Sequence, residues 1–473
     1  TAIPQTDALG FNDNGTLFTR DGGALNYLGP STEDTLFYVT PAGTVRQPVG
    51  RQGTALKALE RHSALAKVEY DLTDTATAYG QFLYSDSETS GSASLNITLF
   101  GPAALVPITN PYIPDDLADL LATRPNPTAP FVFEQRFMGI GERTHNESLA
   151  TTQFVVGVKG ETGFKDWTFH VYGLRDQTDA VELIENLSLA SRLNALLQSP
   201  DGGLSLCDGG YNPFGLANAT TISEDCQQYM APDAVSTLTV ERSLYEASVT
   251  GSLFSLPAGQ VQASFGVSYR EDSVDYLPSI SISTNDSYGL NPSSPSSGET
   301  ETTEFGAEFL VPLLSDRLNL TAGYRVADQD VSGSGDSYSL GLEWRATQSI
   351  FVRGSYQKAI RAPNIGELFS ASLGSEFTVG IPTVANPNAG DPCDIRNASR
   401  LGPNNAAIEL ICIAQGMAPG LVDTFTHTTT ALPASTGGNE NLDPEDAETI
   451  TLGLVWQPEF EKHDFSLTVD YWE

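Results

Sequence analysis

The chain has 473 residues, 43 of them glycine and 28 proline, and its 59 acidic against 24 basic side chains leave a formal charge of −35. That acidity excludes nucleic acid as a partner, because the phosphates would be repelled, and the aromatic and β-branched content is too high for an acidic disordered tail. No run of about 18 apolar residues exists, so no transmembrane helix is available, and Thr1-Ala2-Ile3-Pro4-Gln5 has neither the basic start nor the apolar core of a signal peptide.

Residues 1–60 offer only short strand candidates, at 15–20 and 35–40, with turns at Gly22-Gly23 and Pro41-Ala42-Gly43. From Ala64 a two-residue alternation sets in: LAKVEYDL and ATAYGQFLYS form a hairpin about Thr73-Asp74. A long interval, 86–130, holds a proline cluster and one helix candidate, 115–121, whose leading Asp115-Asp116 suits a helix N-terminus. Strands 153–160 and 167–175 follow, turned at 161–166. The next excursion contains a helix candidate at 187–198 and the first cysteine pair. The alternation is cleanest in 261–270, where Val261, Ala263, Phe265, Val267 and Tyr269 oppose Gln262, Ser264, Gly266, Ser268 and Arg270. After a Ser/Asn/Pro-rich loop, strands resume at 302–311 and 318–325. The hairpin YSLGLEWRATQSIFVRGSY comes next, with Glu343, Arg345 and Arg353 on one face and Leu340, Leu342 and Trp344 on the other.

Short connections alternate with very long ones along the whole chain. A soluble sandwich has no reason to place its short turns at one end, whereas an outer-membrane barrel does. The strand candidates run about 8–11 residues, enough for a tilted strand to cross the hydrocarbon layer, and closure removes unpaired edges. The fold expected is therefore all-β: a transmembrane antiparallel β-barrel, with long loops near 86–131, 177–243, 271–300 and 360–446. The acidic excess, for example Asp13, Glu33, Asp34, Asp86, Glu88, Asp272 and Asp275, is assigned to solvated loops, with cation bridging to a lipopolysaccharide surface as the sharper alternative.

Four cysteines fall as two pairs, Cys207/Cys226 and Cys393/Cys412, each spaced 19 positions apart. Zinc calls for closer CxxC or His-rich spacing. Two local disulfides in an oxidising compartment fit better than free buried thiols, each worth roughly 3 kcal/mol by loop entropy. No metal site, cofactor site or catalytic constellation is found. HExxH, GxSxG and phosphate-loop patterns are absent, and Gly139-Ile140-Gly141 lacks the third glycine of a dinucleotide loop. His170, on the polar face of its strand, reads as a solvated wall residue rather than a ligand. Sequons such as Asn186 and Asn319 read as chance in a Ser/Thr-rich chain.

One run separates a lipid-facing barrel from a soluble sandwich: Arg361-Ala362-Pro363-Asn364-Ile365-Gly366-Glu367-Leu368-Phe369, followed by Asn439-Glu440-Asn441-Leu442-Asp443-Pro444-Glu445. It resembles the "RAPN-x-x-ELF" and "NxNLxPE" signatures of the TonB-dependent receptors, where a rising barrel strand enters an extracellular loop and the chain later returns. The resemblance implies a Gram-negative outer-membrane location and a barrel of 22 strands in the family, of which about 12–14 are represented here. It also implies a small-molecule ligand, contact with outer-membrane lipid and lipopolysaccharide, a plug domain, and the TonB energy-coupling complex as partner. Neither the plug, nor the coupling box, nor the terminal aromatic strand has a match in this sequence, so the chain is expected to be an internal piece, 1–473 being part of one barrel domain.

If the apolar face meets lipid, Arg270, Glu304, Glu308, Arg325, Glu343, Arg345 and Arg353 line the interior, as a mutually compensating wall, a docking surface for the plug, or a solute path. The function expected is energy-coupled uptake of a scarce solute of the siderophore, cobalamin, haem or oligosaccharide type, not an enzyme. The rivals are a passive porin-like channel and a secreted adhesive β-protein.

Overall fold

The computed structural model describes residues 9–12, 14–20, 26–29, 38–46, 53–92, 102–134, 139–214, 222–315, 317–427, 431–459 and 463–473. Asp13, Glu33, Asp34, the Gly22-Gly23 turn and residues 35–37 of the 35–40 strand candidate lie outside them. The chain divides into two compact units, one of 1–290, 294–371 and 438–473, the other of 291–293 and 372–437.

In the first unit, twelve strands form one antiparallel sheet whose order follows the chain. They are β1 (Ala58–Thr73), β2 (Ala76–Ser92), β3 (Thr144–Glu161), β4 (Thr168–Glu185), β5 (Ala234–Leu256), β6 (Gly259–Leu277), β7 (Ser296–Leu314), β8 (Leu318–Gln329), β9 (Gly333–Arg345), β10 (Ile350–Arg361), β11 (Glu445–Trp456) and β12 (Leu467–Trp472). Among the described residues, β1 and β12 do not pair with each other.

Most strands are longer than the alternation suggests; β5 runs 23 residues. The long connections of the sheet run 93–143, 186–233, 278–295 and 362–444, beside the expected 86–131, 177–243, 271–300 and 360–446: the last three are shorter, and the first is shifted along the chain and slightly longer. Asp86, Glu88, Asp272 and Asp275, assigned to loops, lie within β2 and β6. The physical reason is that hydrophobic alternation ends where both faces become polar, while the backbone ladder continues. The long connections also include one short one, 330–332 between β8 and β9.

The register sorts side chains into two faces. Val156 lies opposite Gly173, Ala247 opposite Val267, Leu340 opposite Tyr356 and Leu452 opposite Tyr471 on the apolar face. Tyr84, Tyr245, Tyr269, Tyr324 and Tyr338 stand on this face toward the long connections, and Trp344 and Trp456 toward the short turns. The face is bare: Val68, Val156 and Leu452 are 64%, 65% and 58% exposed. The buried core lies instead in the connections. Leu193, Leu196 and Leu197 of helix α2 (Ala190–Gln198) pack with Val106, Tyr211, Phe214 and Met230. The Leu9–Phe11 and Leu17–Thr19 hairpin and helix α1 (Asp115–Ala122) join the same cluster, and Cys207 is bonded to Cys226 within it.

The second unit holds a hairpin of Leu373–Thr378 with Ala431–Thr436 and a helix, Asn405–Ala414, tied by the Cys393–Cys412 disulfide. Its organising group is the fully buried Asp394. Its carboxylate accepts from the Arg396 guanidinium and from the backbone N–H of His427, at 2.7 Å, which holds it well below the usual carboxylate range.

Candidate functional site

Strand β10 ends at Arg361 because Pro363 lacks an N–H and restricts Ala362 to an extended conformation. Asn364 then caps a single helical turn, Ile365–Phe369. Its side chain accepts from the Glu367 N–H at 2.9 Å, and the Glu367 carboxylate accepts from the Asn364 N–H at 2.8 Å, a reciprocal capping box. The turn folds onto β6 and β7. Leu368 is buried there, and the ring of Phe369 occupies the place where a β-carbon on Gly298 would stand.

Arg361 joins the two sequence signatures. Its guanidinium donates to both carboxylate oxygens of Glu367, at 2.8 and 3.0 Å, and to both of Glu445, at 3.0 and 2.9 Å. The planar five-donor fork of arginine suits two bidentate partners as lysine does not. On the returning segment ahead of β11 the Asn439 N–H donates to the Glu367 carbonyl at 2.9 Å, and the Gly438 N–H to the Ser370 carbonyl at 2.8 Å. Asn441 donates its N–H to the Asn439 side chain, Leu442 continues that turn, and Pro444 leads into Glu445, which faces Arg361 in register. The motif residues thus form one clasp closing the 362–444 connection.

Two outcomes are expected of this clasp. A β-carbon at Gly438 would sit 2.3 Å from the Leu368 carbonyl oxygen, so Gly438→Ala is expected to force the runs apart at a cost of about 1–3 kcal/mol, read as faster proteolysis between 362 and 444. The bond to Arg361, with the Asn364 N–H, holds Glu367 down to about 2 from an ordinary 4.5. A depressed carboxylate stabilises the folded form above its unfolded value and loses that contribution as pH falls through its folded one. The share of proteolytic protection that this bond contributes is therefore expected to be unchanged from pH 7 to 5 and to decline as pH falls from 4.5 toward about 2; loss between 6 and 5 would contradict the assignment.

The seven charged residues singled out in the strands do share a face. Ser268 opposes Glu304, Arg270 opposes Thr302, Gly306 opposes Arg325, and Glu343 opposes Arg353. Arg325 is bonded to Glu304. Arg270 and Arg242 flank Asp272 at 3.0 and 2.5 Å, and Arg353 reaches Asp470 at 2.8 Å. Glu308, Glu343 and Arg345 form no ion pair among the described residues. Glu246, Glu304, Glu308 and Arg325 edge a groove of about 630 Å³ floored by Gly306 and Gly323. Further along, the Tyr79 hydroxyl and His170 Nε2 are hydrogen-bonded at 2.7 Å, and the Tyr172 hydroxyl donates to Glu246 at 2.9 Å.

Sequence reasoning passed over Asp470, Gly298 and Tyr79, and assigned Asp272 to a solvated loop rather than to this face. Asp470 and Tyr79 are signalled by strand parity; nothing local signals Gly298, whose partner is over seventy positions away. Among the described residues no group of three or more His, Cys, Asp or Glu is arranged to hold a metal.

Residues 5–473 match the family model described as "TonB dependent receptor-like, beta-barrel". Comparison with curated proteins returned no match. Similar solved structures include the siderophore receptor PirA from Acinetobacter baumannii, at 15% identity and TM-score 0.44 over 87% of this chain and 42% of that one. The ferric enterobactin receptor PfeA from Pseudomonas aeruginosa, in a mutant form, gives 15% and 0.45 over the same shares. The RagAB peptide transporter gives 12% and 0.43 over 88% of this chain and 40% of that one. The chain thus spans less than half the length of these structures.

Proposed function

Because the chain belongs to the TonB-dependent receptor family of Gram-negative outer-membrane β-barrels, we propose that it forms part of the barrel wall of a receptor taking up a scarce solute with energy from the TonB complex. The observation that carries this reading is the two-faced sheet: a bare apolar face beside a charged, largely self-compensated one. Lipid and lipopolysaccharide solvate the first face. The second lines the interior, where Arg270, Glu304, Glu308, Arg325, Glu343, Arg345 and Arg353 meet the plug domain. The disulfide-tied loop cores supply the capture surface, and the clasp fixes the ends of the longest connection. The solute is one of the siderophore, cobalamin, haem or oligosaccharide type. The site is that of a binding and transport protein, with no catalytic role for its residues.

The test is uptake of a panel of labelled ferric siderophores, cobalamin, haem and oligosaccharides by cells carrying the full-length protein, with and without the energy-coupling complex. Uptake that disappears with the complex supports the reading. Entry that persists without it favours the passive channel, which the family match itself disfavours.

A further inference from the structure

The charged face is not uniform. Between β5 and β10 it sinks into the groove of about 630 Å³ edged by Glu246, Glu304, Glu308 and Arg325. The register explains the depression. Ser248 lies opposite Gly266 and Gly266 opposite Gly306, so one row of this face carries almost no side chain across three strands. At Gly306 the space is open, with nothing within 4 Å of where a β-carbon would stand. Glu246 and Glu304 belong to the row on one side, Glu308 and Gly323 to the row on the other. Ser264 and Ser339 add hydroxyls to that second row. Beyond Glu246 the wall continues into half-buried rings: His170 and Tyr172 are stacked with centroids 5.1 Å apart, and the Tyr172 hydroxyl donates to Glu246.

We propose that this groove is a subsite for a neutral, polyhydroxylated solute, an oligosaccharide, moving along the inner wall. The inference rests on the reading above that the charged face lines the interior of a receptor, and it chooses among the solutes named there. A volume of about 630 Å³ falls within the roughly 300–1,000 Å³ of small-molecule pockets. Its charge decides against anions. Three carboxylates, Glu246, Glu304 and Glu308, stand against the one guanidinium of Arg325, a net −2, and Lys358, on the other face, is bonded to Asp336. An anionic ferric chelate and the carboxylates of haem are repelled by that balance. The side chains of this face that line the groove are carboxylates, serine hydroxyls, the Gln357 amide and a guanidinium, beside glycine and alanine. Carboxylates only accept, and they bind hydroxyls more strongly than neutral acceptors do; serine and glutamine also donate. The paired hydroxyls of a sugar use both kinds of partner. The His170 and Tyr172 rings next to Glu246 offer apolar faces to the C–H side of a sugar ring. A plug resting on the charged edges leaves the glycine floor free for passage.

The experiment measures uptake by cells carrying the full-length protein and the energy-coupling complex, at equal surface amounts of each variant. The probes are labelled neutral gluco-, manno-, galacto- and xylo-oligosaccharides, with ferric enterobactin and cobalamin as comparators. At least one oligosaccharide is expected to enter, and only with the complex present. Gly306→Val places a β-branched side chain suited to a strand into open space. It is expected to lower that uptake about tenfold, the loss of one or two direct contacts, and Glu308→Gln to lower it several-fold. Ala322→Val, on the apolar face opposite Leu340, is expected to leave it unchanged. Complex-dependent entry of ferric enterobactin or cobalamin with no oligosaccharide overturns the solute class and leaves the receptor reading intact. Oligosaccharide uptake that neither Gly306→Val nor Glu308→Gln alters overturns the groove. Oligosaccharide entry that persists without the complex overturns the receptor reading, and the groove stands if Gly306→Val still lowers it.

Discussion

Replacing Leu368 by alanine is expected to remove about 2–5 kcal/mol from the packing of the clasp. Leu368 is 1% exposed, its one-turn helix rests on β6 and β7, and its carbonyl abuts Gly438, so the cavity left behind lies where both signature runs meet. The ion pairs of Arg361 are on the surface and cannot make up such a loss. Limited proteolysis between 362 and 444 should accelerate, while the unfolding temperature of the twelve-stranded sheet, whose ladder does not include this side chain, should stay unchanged. Unchanged proteolysis would show that Leu368 does not hold the clasp.

The Cys207–Cys226 disulfide should matter nearly as much. Cys226 is fully buried and Cys207 is 5% exposed, and both belong to the loop core with Leu196, Tyr211 and Met230. Loss of the cross-link by Cys207→Ala with Cys226→Ala is expected to cost about 3 kcal/mol through loop entropy. The Cys393–Cys412 pair, set in a smaller cluster with Val422, is expected to lose less packing. Hydrogen exchange of α2 (Ala190–Gln198) reads the difference directly: exchange should rise in the first double variant and stay unchanged in the second. If the loop core is the capture surface, ligand affinity falls with it; equal affinity before and after reduction would separate the disulfide from ligand capture.

What could be read from the sequence followed from the reach of each interaction. The strand faces were legible because parity is local: Glu343 and Arg353 alternate with leucines and valines whatever the rest of the chain does, and the register puts them opposite each other. The signature runs were legible as residue types at fixed spacing. Their union was not, because Arg361 finds Glu445 only once the whole intervening connection has returned. Strand lengths were underestimated for a related reason. Above the tyrosines, β5 and β6 carry Glu241, Glu271 and Ser273, polar on the face that is apolar lower down, so periodicity fades while the ladder continues. The cysteine pairing was legible because each partner is near in sequence, but the core around it, drawn from the Leu9–Phe11 strand, α1, α2 and Tyr288, rests on contacts that no local pattern announces.

The central claim is that the apolar face meets lipid and the charged face meets water. Neighbouring residues of β9 test it directly, Leu342 on one face and Glu343 on the other, and all four native cysteines are held in disulfides. Single cysteines at these positions, in the full-length protein in outer membranes, are labelled with a lipid-soluble and a membrane-impermeant maleimide. The account predicts that the cysteine replacing Leu342 reacts with the lipid-soluble reagent alone and that the one replacing Glu343 reacts with the water-soluble reagent. The reverse pattern, or water-soluble labelling of both, would contradict it.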